Sequence, residues 1–423
     1  MASKRQIWVK GVPIGGGAPV VVQSMTKTDT SDVEATLAQI GRMVDAGCEL
    51  VRVAVPRDKD AVALETIVAR SPVPVIADIH FNHTLALKAI DAGAHCIRLN
   101  PGNIGGREKV AEVAAKATAA GVPMRIGVNS GSLPKHLHEL EREDPVEALV
   151  TAAIEFVELM ESLHFENFKV SVKSTNVPRT IAANRLLARK IDYPLHLGIT
   201  ESGTRWSGSL KSAVGLGALL ADGIGDTIRI SLSTFKAEEE VKVAWEILKA
   251  LELRERGPVL IACPTCGRLQ FDMDTVVGEI EQRLESYEQA IEVAVLGCAV
   301  NGIGEASHAD FGITGAKNEG LIFAHGKPLR KVPQDSLVDE LFAEIDRSLS
   351  AGGVQTDATE AAEATAWLER IEDENAGELT PERIAQMESA AAPDGGDAVL
   401  ERIATPTGSP PVLVTGRRFK RAK

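Results

Sequence analysis

A chain of 423 residues, 44% hydrophobic and 25% charged, has an ordinary globular composition and is long enough for one large domain with a smaller one beside it. Its formal net charge of −13 argues against a general nucleic-acid or anionic-membrane surface, while leaving room for a local cationic pocket. No apolar run is long enough to span a bilayer and MASKRQIWVKGVPIGGG has no apolar signal core, so a cytoplasmic protein is expected, in which five cysteines are metal ligands, catalytic groups or buried side chains rather than a disulfide framework.

In chain order, short apolar stretches rich in β-branched residues recur from residue 19 to 233, each followed by a polar turn and a segment of helical period. The predicted strands are PVVVQSM (19–25), LVRVAV (50–55), PVIADIH (74–80), CIRLNP (96–101), PMRIGVN (123–129), FKVSVKS (168–174), PLHLGIT (194–200) and TIRISLS (227–233). Helices are predicted between them, among others over 31–47, 83–93, 144–164 and 237–253, several opened by Asp, Ser or Thr and several closed by Gly. Eight such units match an α/β fold, an N-terminal TIM (β/α)8 barrel over residues 1–256.

From Gly257 the pattern changes. GPVLIACPTCGR reads as a strand running into a cysteine loop, 274–290 as an amphipathic helix, IEVAVLGCAVNGIGEA as a second strand and loop, and DFGITGAKNEGLIFAHGKPLRKV as a hairpin before a closing helix. A smaller C-terminal α+β domain is expected over 257–350, with both strand-ending loops carrying cysteine. Residues 351–423, rich in Ala, Glu, Gly and Pro, read as a mostly disordered tail with a transient helix near 358–372 and a solvated basic end, RRFKRAK.

In a TIM barrel the active site lies at the C-terminal ends of the strands, and here those ends are rich in polar residues. They supply Arg52, Arg98 with Asn100, Arg125 with Asn129, Lys173, and Arg229 with Ser231. The even spacing of the pairs sends both members to one face of a strand. If that face is the barrel interior, four arginines and a lysine converge, and burying them together demands an anion, of which a diphosphate is the natural choice for the arginine fork. Asp78 and Glu201 are the carboxylates that could instead pair with them. Glu201 is also a candidate proton donor, whereas His80 is open between an acid and a wall residue. The turns GGG (15–17) and NPGNIGG (100–106) are weak candidates for cradling phosphate.

Cys263 and Cys266 form a Cys-x-x-Cys pair, and Cys298 follows without a fourth cysteine after it. A structural zinc site needs four ligands, which His308 or His325 could complete. An iron-sulfur cluster held by three thiolates instead leaves one iron for another ligand, and Glu305, seven residues after Cys298, is the candidate. Cys48 and Cys96 suit burial at strand starts.

ACPTCGR followed by LGCAVNGIGE, and preceded by QSM, ADIHF, RLNPGNIG, RIGVNSGS and TIRISLS, resembles the bacterial 4-hydroxy-3-methylbut-2-enyl diphosphate synthases, iron-sulfur enzymes of the methylerythritol phosphate route to isoprenoids. The resemblance spans residues 5 to 350 and does not cover the tail. It implies a TIM barrel joined to a 4Fe-4S domain, in a homodimer in which each cluster domain closes over the other subunit's barrel. The implied reaction is a two-electron reductive dehydration that opens the ring of 2-C-methyl-D-erythritol 2,4-cyclodiphosphate, with flavodoxin or ferredoxin as donor. Carried over residue by residue, it makes Cys263, Cys266, Cys298 and Glu305 cluster ligands, sets Asn301 near the reacting oxygen, and makes Glu201 a proton donor. Arg52, Arg98, Arg125, Asn129, Lys173, Thr200, Arg229 and Ser231 become the diphosphate contacts. The alternative is another phosphate-binding barrel enzyme, such as a pterin-type synthase, with a zinc-stapled appendage.

Overall fold

The computed structural model describes residues 3–376 apart from 101–103, 267, 268, 270, 299–303, 305 and 317. Asn301, Glu305 and the chain from 377 onward therefore lie outside the described residues. The chain divides into two compact units, Met1–Val259 with Tyr287–Ala290, and Leu260–Ser286 with Ile291–Lys423.

The first unit opens with a hairpin that the period-based reading does not anticipate, β1 (Gln6–Val9) and β2 (Val12–Gly15), joined at Lys10 and Gly11, both in the left-handed region (φ 43° and 84°). The eight predicted strands follow as β3 (Val21–Met25), β4 (Leu50–Ala54), β5 (Val75–Asp78), β6 (Cys96–Leu99), β7 (Met124–Asn129), β8 (Phe168–Lys173), β9 (His196–Leu197) and β10 (Thr227–Ile228). They form one parallel sheet in the order β8-β7-β6-β5-β4-β3-β10-β9, and a parallel bridge from Val170 to Leu195 brings β8 against the chain leading into β9. This is the expected barrel. Asp32, Asn82, Asp144 and Asn176 cap helices with side-chain oxygens that accept first-turn amides, and the helix 107–120 ends at Gly121 in the left-handed conformation.

Strand alternation builds the barrel floor. Val21, Leu50, Ile76 and Cys96 point inward at the strand starts and pack with Ile7, Val9 and Ile14 of the hairpin, which closes that end. Gly15 has to be glycine: its φ is 84°, and a Cβ there would lie 2.4 Å from Arg5 O and 2.6 Å from Pro194 Cγ. The GGG turn thus belongs to the stopper at the strand starts, opposite the end where a phosphate loop would sit.

The second unit holds a five-stranded sheet in the order β11 (Val259–Ala262), β12 (Glu292–Leu296), β13 (Phe311–Ala316), β14 (Glu319–Ala324) and β15 (Lys327–Pro333). The β12–β13 pair is parallel and the last two pairs are antiparallel. The helix 337–351 covers one face, where a Cβ on Gly320 would lie 2.6 Å from Leu337. On the other face, register lines up Ala294 and Leu296 with Leu321 and Phe323. A helix over 358–376 seals that second face with Ala364, Trp367 and Leu368. This part of the tail is therefore packed rather than transiently helical, because an apolar stripe at i, i+3 and i+4 meets an apolar sheet face. No helix among the described residues is long and apolar enough to cross a membrane.

Candidate active site

Two positions beyond the floor residues Leu50, Ile76 and Cys96, the inward side chains are charged: Arg52, Asp78 and Arg98. Register places Asp78, Arg98, Arg125 and Lys169 side by side on β5, β6, β7 and β8, and Asn129 beside Lys173 two inward positions higher, above Gly127 and Ser171. Arg52, Arg98, Arg125, Lys169 and Lys173 are all buried, and Arg229 is half-buried. Small residues leave room for them: a Cβ on Gly127 would lie 3.3 Å from Arg98 Nε and 3.4 Å from Arg125 Nη2, and one on Gly198 would lie 2.6 Å from Lys173 Nζ.

The carboxylates present are already committed. Asp78 meets Arg98 at 3.0 Å and Arg52 at 3.4 Å, and His80 Nε2 stands 3.4 Å from Asp78 and 3.3 Å from Arg98 Nη1. Glu240, on the helix 237–250, takes Lys27 Nζ at 2.8 Å, Ser24 Oγ at 3.0 Å and the Leu232 amide at 2.9 Å, with Arg229 Nη2 at 3.9 Å. Deeper in, Asp226 accepts Ser3 Oγ at 2.8 Å and the Leu195 amide at 2.7 Å. The interior cations outnumber these carboxylates. Arg125 Nε and Nη1, Lys169 Nζ, His196 Nε2, Thr200 Oγ1 and Arg229 Nε are buried with no hydrogen-bond partner.

Titration follows this crowding. Burial pulls Arg125 well below its ordinary value, and Arg52 and Arg98 add to the shift. Burial, then Arg125 and Arg229, do the same to Lys173. Lys169 is brought down to about 8 and Arg52 to about 10, in both cases chiefly by burial. His196, buried among these cations, is held far below the usual histidine range and so is neutral. Groups this desolvated and mutually repelling cost the fold several kcal/mol that a bound polyanion offsets.

All the strand-end cations named from the sequence face this one interior. Thr200, Ser231 and Asn129 stand half-buried at the upper ends of their strands. Glu201 is exposed at the rim rather than enclosed, and its backbone is left-handed (φ 50°), a strained conformation for a glutamate. Asp78, rather than Glu201, is the carboxylate paired with the arginines. Sequence reasoning missed Lys169, His196 and Glu240. The alternation of Lys169, Ser171 and Lys173 in FKVSVKS carried the signal for the first, and Glu240 shares a helix face with Ala237, Val241 and Ala244.

In the second unit, β11 ends at the first cysteine loop, where the Cys263 amide donates to Val295 O at 3.0 Å on β12. The Gly297 amide donates back to Cys263 Sγ at 3.0 Å, next in the chain to Cys298. Cys298 is buried, Cys263 half-buried and Cys266 exposed. Among the described residues no three His, Cys, Asp or Glu side chains are grouped as a metal site. His308 and His325 stand with Glu292 at 3.8 Å and Asp310 at 3.7 Å. A sulfur accepting a backbone amide at the end of adjacent strands fits a thiolate cluster ligand, since such hydrogen bonds stabilise the thiolate and tune the cluster's potential.

The fold is that of a (β/α)8 enzyme with a cluster of buried cations at its strand ends and an appended α+β unit with cysteine loops. The GcpE TIM-barrel domain matches residues 4–245 and the GcpE protein C-terminal domain matches 259–347, and the chain belongs to this family. It is 54% identical over 349 residues to 4-hydroxy-3-methylbut-2-en-1-yl diphosphate synthase (flavodoxin) of Geobacter sulfurreducens, covering 82% of this chain and 99% of that one. It is 51% identical over 349 residues to the protein of the same name from Aquifex aeolicus, covering 82% and 98%. The same-named protein of a Sulfurihydrogenibium species is 48% identical over 343 residues, covering 81% and 97%.

Proposed function

We propose that this chain reduces 2-C-methyl-D-erythritol 2,4-cyclodiphosphate to 4-hydroxy-3-methylbut-2-enyl diphosphate, opening the ring and releasing water. The observation that carries this reading is the row of buried cations on β6, β7 and β8, which exceeds its carboxylates and matches a cyclic diphosphate. Family membership and the relatives' names support the particular substrate.

Arg52, Arg98, Arg125, Lys173 and Arg229, with Asn129, Thr200 and Ser231, fix the diphosphate, and Lys169 lies beneath it. Asp78 holds Arg52 and Arg98 in place. Opening the ring leaves negative charge on the phosphate oxygen released from carbon, and donors preorganised at that oxygen stabilise it as it forms. The buried side chains exclude water from the reacting face. Glu201 at the rim supplies a proton, and Asn301 orients the departing hydroxyl.

Cys263, Cys266, Cys298 and Glu305 hold a 4Fe-4S cluster, with the carboxylate as the most readily displaced ligand. When bound, the cluster supplies the two electrons one at a time. The relatives' names point to flavodoxin as the donor, with ferredoxin as the other carrier of that class. The working form is a cytoplasmic homodimer, in a compartment where free thiols persist.

Anaerobic purification followed by turnover of the cyclodiphosphate with an artificial reductant tests this. A brown protein with about four iron and four sulfide per chain, forming the linear diphosphate, is expected. A colourless protein with stoichiometric zinc and no turnover sinks the proposal and favours a zinc-stapled appendage.

A further inference from the structure

Residues 358–376 lie beyond the family match, which ends at 347, and the Geobacter relative is accounted for almost whole by 349 aligned residues. The helix they form is nevertheless integral to the second unit. Asp357 opens it by accepting the Thr359 amide at 2.8 Å and the Glu360 amide at 3.1 Å. Ala364, Trp367 and Leu368 are buried against Ala294, Leu296, Leu321 and Phe323, and Ile371 extends the stripe. The indole is fixed at its polar edge as well, because Trp367 Nε1 donates to Glu319 Oε2 at 3.1 Å while Lys331 holds Oε1 of the same carboxylate at 2.9 Å.

Ile261 and Cys263 pack against this same cluster from the end of β11. Cys266, three residues on, is exposed. The two cysteines of one Cys-x-x-Cys loop thus have unlike surroundings, and the covered one is the sulfur that accepts the Gly297 amide.

We propose that the appended helix is a shield, sealing the sheet face behind Cys263 and limiting the access of dissolved electrophiles and oxidants to that sulfur. The consequence for cluster lifetime in air rests on the ligand assignment proposed above; the shielding of the thiol does not.

The test uses metal-free, reduced full-length protein, a form truncated after Gly353, and Trp367→Leu, which keeps a smaller apolar plug. Each is treated with N-ethylmaleimide under native conditions and every cysteine is followed by mass spectrometry. Cys266 is the exposed reference, and circular dichroism reports whether the second unit stays folded. Cys263 is expected to react at least about tenfold faster relative to Cys266 after truncation, and at an intermediate rate in Trp367→Leu. If truncation unfolds the unit, Trp367→Leu decides: a faster Cys263 with unchanged dichroism supports the shield, and an unchanged rate overturns it. In reconstituted protein, visible absorbance should bleach in air in the same order. Failure of all forms to take up iron would count against the proposed cluster and leave the thiol result standing.

Discussion

Replacing Asp78 by Asn keeps the side-chain volume but removes the negative charge between Arg98 at 3.0 Å and Arg52 at 3.4 Å. At an effective dielectric constant of about 20, each pair is worth roughly 5 kcal/mol before desolvation. Removing one partner from a buried pair costs about 3–5 kcal/mol net. In a unit of this size each kcal/mol lowers Tm by about 2–4 °C, so metal-free Asp78→Asn should melt about 6–20 °C below the parent. Inorganic pyrophosphate restores negative charge in the same place, and should raise the Tm of the variant more than that of the parent. The pH dependence has a definite sign. Burial alone would push the Asp78 carboxyl up, but Arg52, the hydrogen bond with His80, and Arg98 hold it well below the usual carboxylate range. A depressed folded value means the stabilisation is fully present above the unfolded carboxylate range near pH 4, and is lost only as pH falls through the folded value. The gap between parent and variant should therefore be constant from about pH 8 to 5. Thermal melts followed by circular dichroism, with and without pyrophosphate, decide it, and equal Tm values would refute Asp78 as the counter-ion of the pocket.

Lys169→Met removes a buried ammonium without a hydrogen-bond partner, so the metal-free variant should be as stable as the parent or more so by about 1 kcal/mol, while its pyrophosphate Kd rises about tenfold in calorimetric titration. Because burial brings Lys169 down to about 8 from 10.5, the parent should gain stability between those two pH values, and the variant should show less of that gain in denaturant melts. Gly198→Ala puts a Cβ 2.6 Å from Lys173 Nζ and 2.8 Å from Arg229 O, and should lower kcat/KM by about a hundredfold. Gly127→Ala, with its nearest neighbour at 3.3 Å, should cost less in the same assay. Cys298→Ser should abolish iron retention in a colorimetric iron determination, whereas Glu305→Ala should keep the fold and lose turnover.

The eight barrel strands were legible because each is a β-branched run bounded by turn residues, and the strand-end arginines were legible because alternation ties their direction to that of the strand. The hairpin was not. Its four-residue strands are too short to show a period, and the two reasons Gly15 must be glycine, its φ of 84° and the approach of Arg5 and Pro194, exist only once the chain is folded. Asp78 and Glu240 show the same limit from the other side. Glu240 sits in a run of three glutamates and Asp78 in an apolar strand, and which carboxylate meets which cation depends on pairing across 20 residues for Asp78–Arg98 and 213 for Lys27–Glu240. The tail helix was seen but undervalued, since an alanine- and glutamate-rich segment looks marginal until a sheet face is available to receive Trp367.

The hairpin makes the barrel a well with a single doorway. Ile7, Val9 and Ile14 stop the far end, so what enters over the rim beside Glu201 has to leave over the same rim. Displaced water, incoming substrate and departing product share one passage, and each turnover must empty the well before the next can begin. On the proposed reading of the site, an anion that settles against the cation row blocks both arrival and departure.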